Sequence, residues 1–263
     1  SGSSANLMLV RALCSMNKKD KPSWVSQACT WSTTISPILQ HNGKLHLCDV
    51  DLDNFSPDLL QLEAIFTEQK VDYLFLTHLL GFSSISDDLL TLCEKHNVTL
   101  LEDCCEAHGA SFRGKKVGNF GIGSSFSFFY GHHMTTIEGG MVCTNDENLY
   151  HELLLLRSHG LLRELPPKER KRRKVEGVNP AFCFLRDGYN VRNTEINAKL
   201  GLMQLQGLDS TIEYRNRILS VFMSSLDPLL YRTSYNTNGC SNFALPVFSK
   251  HPGLVDKVEK MLS

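Results

Sequence analysis

Asp72 to Cys104 reads DYLFLTHLLGFSSISDDLLTLCEKHNVTLLEDC, and its pattern decides the fold class. Two short apolar runs, DYLFLTH over 72–78 and VTLLEDC over 98–104, end in polar residues and flank SDDLLTLCEKH over 86–96, which has a helical pattern. The same alternation extends upstream through LHLCDVD at 45–51 and SPDLLQLEAIF at 56–66, and downstream through MVCTN at 141–145 and an amphipathic helix over about 147–157. Strands alternating with helices predict an α/β fold, a mostly parallel central sheet covered on both faces. In open sheets of this kind ligands bind beyond the carboxyl ends of the strands, which puts Asp103 at the functional edge.

Around this centre, Ser3 or Ser4 can cap a helix over about 5–14 that carries Leu7, Leu9, Val10 and Leu13. VSQAC is strand-like, and a helical stretch follows it. A long polar loop is expected between His159 and Gly188, carrying the basic run KERKRRK over 168–174. Then TEINAKLGLMQLQGL and 210–226 read as helices, and NFALPVF over 242–248 as a strand of a second domain. The expected division is a large domain over 1–208 and the start of a small α+β domain over 209–263. Because the chain opens at what reads as a helix N-terminus, a piece of a longer protein is expected.

With 42% hydrophobic and 21% charged residues over 263 positions, the composition is that of an ordinary globular protein. A formal charge of -1 provides no global basic field for nucleic acid or an anionic membrane, and no apolar run approaches the roughly 18 residues of a membrane-spanning helix. Nine cysteines without recurring CxxC spacing suit a reducing cytoplasm better than disulfides or a metal site.

The stretch FSFFYGHHMTTIEGG, Phe126 to Gly140, adds the chemistry. It resembles the lysine loop of the DegT/DnrJ/EryC1/StrS sugar aminotransferases, pyridoxal phosphate (PLP) enzymes in which a lysine precedes TTGEGG. Here His132 stands at the lysine position, as in the branch of that family that dehydrates nucleotide-linked 4-keto-6-deoxyhexoses at C3. The resemblance implies a type I, aspartate aminotransferase-like fold and a set of site residues. Gly2, Ser3 and Ser4 would cradle the cofactor phosphate at a helix N-terminus, with Ser127 beside them. Trp31 would stack on the ring. Asp103 would keep the pyridine nitrogen protonated, and Glu106 would face the ring. His108 lies in an AHGA pattern more typical of the aminotransferase branch. Asn190, in GYNVR, would reach the phosphate of a neighbouring subunit, making a homodimer with shared sites, and Arg192 would support the same anion.

Imidazole forms no stable covalent link to PLP, so the cofactor would be held noncovalently and persist in its amine form, PMP. His132 would then move protons, first from the cofactor methylene and then to the departing C3 hydroxyl, with glutamate regenerating PMP. His133 is a secondary, substrate-side or structural residue, because adjacent side chains point apart. Arg170, Arg172 and Arg173 are candidates for the diphosphate of a nucleotide sugar. One cysteine, Cys183, in the loop after the glycine pair does not support the iron-sulfur cluster of the CDP-linked dehydratases, which favours a GDP-linked substrate.

Taken singly, each of these residues has a plainer reading: a strand-terminal carboxylate that caps a turn, a core tryptophan, a solvated charge run. Two other functions remain open at this point. One is a conventional aminotransferase, for which Lys115 and Lys116 are poorly placed; the other is an inactive homologue acting as a binding or dimerisation module.

Overall fold

The computed structural model describes residues 1–17, 19–251 and 253–262. In chain order the strands are β1 (Ser23–Gln27), β2 (Lys44–Cys48), β3 (Tyr73–Thr77), β4 (Thr99–Asp103), β5 (Ser111–Phe112), β6 (Lys115–Lys116), β7 (Gly123–Ser127) and β8 (Gly140–Cys143). The α-helices are α1 (Gly2–Met16), α2 (Ser32–Gln40), α3 (Leu59–Glu68), α4 (Asp87–His96), α5 (Glu147–Arg157), α6 (Pro167–Arg172), α7 (Glu195–Leu205), α8 (Leu208–Ser225) and α9 (Leu254–Leu262). Six strands form one sheet in the order β2-β1-β3-β4-β7-β8; β5 and β6 form a separate hairpin. All neighbours in the large sheet run parallel except β7 and β8.

The alternation of side chains along each strand builds two cores. Leu74 and Leu76 of β3, with Leu100 of β4, face Leu62 and Phe66 of α3 and Leu89 and Leu92 of α4. Tyr73, Phe75 and Leu101 face the opposite side, where Leu9 and Leu13 of α1, Ile38 of α2 and Leu149 and Leu156 of α5 close over them. A sheet buried on both faces needs continuous apolar strands, which is what YLFLT supplies. Each fully buried leucine contributes about 1.5–3 kcal/mol, so these two layers dominate the stability of the sheet. Local chemistry sets the boundaries of α4: the Ser86 hydroxyl accepts from the Leu89 N–H at 3.1 Å, and Asn97 ends the helix in the left-handed region at φ 54°.

Three expectations need correction. Helix α1 begins at Gly2 and is capped by Ser1, whose hydroxyl accepts from the Ser4 N–H, so Ser3 and Ser4 lie in the first turn instead of capping it. The stretch 159–188 is more structured than a polar loop: Leu162, Leu165 and Cys183 make a small core with Leu155, and α6 forms within it. NFALPVF is no strand. Pro246 lacks an N–H, and the segment's first residues bond instead to the turn after β3, with Phe243 N–H donating to the Leu80 carbonyl at 2.9 Å. Among the described residues no helix is long and apolar enough to cross a membrane.

Candidate active site

Asp103 ends β4 at the carboxyl edge of the sheet and is only 3% exposed. A buried carboxylate needs donors, and it has three: Asn6 Nδ2 and Thr34 Oγ1 each donate to Oδ2 at 2.8 Å, and the Cys105 N–H donates to Oδ1 at 3.0 Å. Asn6 also accepts from the Ser125 hydroxyl, so one amide ties α1, β4 and β7 together. These elements therefore fix the position of the carboxylate before any ligand arrives.

The first turn of α1 lies beside β7. A Cβ on Gly2 would fall 2.5 Å from Ser127 Cβ and 2.8 Å from Cys105 Sγ, so only glycine lets the helix start approach this closely. Helix starts of this kind favour anions, and here the helix start lies next to the buried Ser127. Trp31 stands at the N-cap of α2 and is 64% exposed; its carbonyl accepts from the N–H of Thr34, the residue that donates to Asp103. Glu106 accepts from the Leu80 N–H at 2.7 Å; burial first, and the neighbouring Asp103 charge next, push its carboxyl above the usual range despite that bond.

The two histidines of the loop after β7 divide. His132 is half-buried, and its Nδ1 is enclosed without a partner, which leaves Nε2 as the nitrogen that can meet a ligand. Burial lowers its pKa; the Asp103 carboxylate pulls it up and the Arg215 guanidinium down. His133 is 6% exposed, and its Nε2 donates to the carbonyls of Ser241 and Asn242 at 3.0 and 3.1 Å. Its ring is committed to packing, so the structural role fits it and the substrate-side role does not. His108 is buried between Phe126, Phe128, His132 and His133, and desolvation holds its pKa down at about 3.

Asn190 and Arg192 are exposed and bonded to each other, with Arg192 Nε donating to Asn190 Oδ1 at 3.2 Å. They line an open depression of about 840 Å³ together with Ser1, Ser4, Tyr150 and Arg157. The basic run is less free than its sequence suggests: Glu169 accepts from Arg172 and Arg173, leaving Arg170 exposed on α6. Lys115 and Lys116 lie exposed on β6 of the separate hairpin, away from the lysine position of the loop after β7. Lys116 Nζ donates to the Gly109 carbonyl at 2.8 Å, and Lys115 lies over the Phe120 ring.

His78, Glu102 and Cys104 also cluster, close enough in geometry for a metal ion. Internal bonds occupy His78 and Glu102, two of these three donors. His78 Nε2 donates to Glu102, whose carboxylate also accepts from the N–H groups of Gly118, Phe120 and Gly121, while His78 Nδ1 accepts from the Ser84 N–H.

Sequence reasoning missed Asn6, Thr34, Arg215 and Phe243. A polar residue on the buried side of α1 was the available signal for Asn6; the others come from distant segments brought in by the fold.

A parallel sheet with a fixed carboxylate at a central strand end, facing a helix start across Ser127, defines the type I, aspartate aminotransferase-like class of PLP-dependent transferase folds. The chain belongs to the DegT/DnrJ/EryC1/StrS aminotransferase family, whose model matches residues 1–260. It is similar to the GDP-4-keto-6-deoxy-D-mannose 3-dehydratase of Yersinia pseudotuberculosis, with 36% identity over 227 residues, 84% of this chain and 58% of the relative. Among solved structures, the E. coli GDP-4-keto-6-deoxy-D-mannose-3-dehydratase with bound hydrated PLP matches with a TM-score of 0.89 at 31% identity, covering 99% of this chain and 70% of that one. A GDP-4-keto-6-deoxymannose-3-dehydratase with a trapped PLP-glutamate geminal diamine matches at 0.88 and 30%, with the same coverage. The chain spans 58% of the length of two curated GDP-4-keto-6-deoxy-D-mannose 3-dehydratases that it matches, from Yersinia pseudotuberculosis and Escherichia coli.

Proposed function

We propose that this chain carries the cofactor half of a PLP/PMP-dependent 3-dehydratase, which removes the C3 hydroxyl from a GDP-linked 4-keto-6-deoxyhexose and uses L-glutamate as amino donor. The carrying observation is His132, whose imidazole feels the Asp103 carboxylate, in the loop after β7 that has no lysine between Phe126 and Gly140. The residues present suit the cofactor: glycine at position 2 lets the helix start lie directly against Ser127, which brings the α1 amides and that hydroxyl to one place for a phosphate, and Asp103 offers a fixed anion to a pyridinium. When bound, PLP supplies an electron sink, and its amine form supplies the nitrogen that exchanges with the keto oxygen.

Each protein group then has a defined task. The α1 start, with Gly2, Ser3 and Ser4, and Ser127 hold the phosphate. Trp31 covers one ring face, and Asp103 fixes the protonation of the ring nitrogen. Glu106, held by the Leu80 N–H, faces the ring. His132 Nε2 takes a proton while neutral, a state its lowered pKa favours at neutral pH, and returns it to the leaving hydroxyl so that water departs. Of the basic run, Arg170 remains the candidate for the substrate diphosphate, because Glu169 engages Arg172 and Arg173.

A homodimer belongs to the same reading. Ile196, Leu202, Met203 and Leu205 of α7 are all more than half exposed, an apolar surface that suits a second subunit, and Asn190 and Arg192 lie at its approach. The division at 208/209 into a large and a small domain, and a cytoplasmic setting in keeping with nine free thiols, complete the proposal.

The test is the half-reaction. Mixed with PLP and glutamate, the full-length protein is expected to convert the aldehyde absorbance to that of the amine, with no borohydride-trapped protein adduct by mass measurement. A lysine adduct would favour the aminotransferase reading, and absence of any spectral change would favour an inactive homologue.

A further inference from the structure

Residues 240–243 lie across the carboxyl edge of the sheet as a strap, held almost wholly through backbone groups. Ser241 N–H donates to the Gly81 carbonyl and Phe243 N–H to the Leu80 carbonyl, both at 2.9 Å. The Ser241 hydroxyl donates to the His108 carbonyl at 2.6 Å, and His133 donates to the carbonyls of Ser241 and Asn242. From α8, Arg215 Nη1 donates to the Phe243 carbonyl at 2.9 Å, while Asn216 donates to the Cys240 carbonyl at 2.7 Å and accepts from the Asn242 N–H at 2.8 Å. Ser241 and Asn242 are buried.

The receiving turn is shaped for this strap. Gly81 has φ 88°, and a Cβ there would come within 1.8 Å of the Ser241 carbonyl oxygen. Leu80 adopts φ 54°, a left-handed conformation that a leucine takes only under constraint, and its N–H is the donor to Glu106. The turn thus bonds the strap on one side and a cofactor-facing carboxylate on the other.

At its end the strap presents Phe243, whose ring centroid lies 5.1 Å from that of His132 at an interplanar angle of 32°. We propose that Phe243, delivered by this strap, is the positioning residue for His132: it covers one face of the imidazole and fixes the ring for proton transfer. The inference rests on His132 being the proton-transfer residue. Residues 129–131 are exposed, and Phe129 meets the imidazole edge-on at a centroid distance of 6.4 Å, farther than Phe243. A ring free to swing would spend most of its time out of line with the transferred proton. The doublet His132-His133 then has a division of labour, with the second histidine anchoring the strap that steadies the first.

Four charged or titratable groups face His132 besides Phe243. Asp103 raises its pKa and Arg215 of α8 lowers it, while the imidazoles of His108 and His133 pack in the same cluster. Removing the phenyl ring readmits water, which stabilises imidazolium. His132 is then neutral only at higher pH, so the acid limb of the rate profile moves upward.

The experiment uses the full-length protein with PMP and follows the His132 side-chain resonances through a pH titration, assigned with H132Q, alongside turnover of a GDP-linked 4-keto-6-deoxyhexose. In F243A the His132 titration shifts to higher pH and kcat falls about tenfold or more, with KM within about threefold. F243Y restores both, and F243L, which keeps an apolar side chain where F243A fails to fold, lies between. An unchanged His132 titration in F243A and F243L overturns the proposal whatever happens to turnover. Because the titration needs no substrate, it decides the matter even if the dehydration reading fails.

Discussion

On the proposed reading, His132 occupies a position where lysine would make a covalent bond and imidazole exchanges only a proton. Its Nδ1 is enclosed and its Nε2 is left for a ligand, and burial keeps the ring neutral near pH 7. Replacing it by glutamine preserves approximate size and polarity while removing proton transfer. H132Q should lower kcat by about 10²–10⁴ with little change in PMP affinity, measured by absorbance titration and steady-state rates. Equal losses in binding and turnover would make His132 a cofactor-holding residue instead. At this scale the sequence was most legible where chemistry is local: Asp103 at a strand end and the histidine in its loop could be named from neighbours. Asn6, Arg215 and Phe243 could not, because their importance comes from contacts across 97 residues of chain for Asn6–Asp103, 83 for Arg215–His132 and 111 for Phe243–His132.

Among the elements, β3 and β4 are joined at their carboxyl ends by the His78–Glu102 pair as well as by their ladder. Burial pushes the Glu102 carboxyl up, yet the bonds from His78, Gly118 and Gly121 outweigh it and hold the carboxyl below its ordinary value. E102A would strand a buried histidine and three N–H groups, so a loss of about 3–5 kcal/mol is expected in urea unfolding. A loss under about 1 kcal/mol would mean that water replaces the carboxylate. The βαβ units were readable because apolar runs, Ser86 and Asn97 each mark their own boundaries. NFALPVF misled because an apolar run records burial without saying what it pairs with, and here the turn after β3 takes its backbone bonds. The stretch 159–188 misled for the converse reason: Leu162, Leu165 and Cys183 are too sparse among charges to announce a core.

Across the whole molecule, the histidine cluster makes stability depend on pH. Burial first holds His108 down at about 3 and His133 at about 4, both below the unfolded value near 6.5. A depressed pKa means that the unfolded chain binds protons first, so this stability is present above about pH 6.5 and is lost as pH falls toward 4. Between pH 6.5 and 5 each histidine should cost about 2 kcal/mol, seen as a falling urea midpoint, and H108F should make the slope shallower. An unchanged slope in H108F would mean that His108 titrates like an exposed imidazole.

The central claim is that glutamate's nitrogen passes through the cofactor and is not kept by the sugar. Its most direct measurement follows ¹⁵N-glutamate and a GDP-linked 4-keto-6-deoxyhexose through turnover by the full-length protein. The label should appear as free ammonia, with a 3-deoxy-4-ketosugar as the unlabelled product. Label retained in an amino sugar would contradict the account.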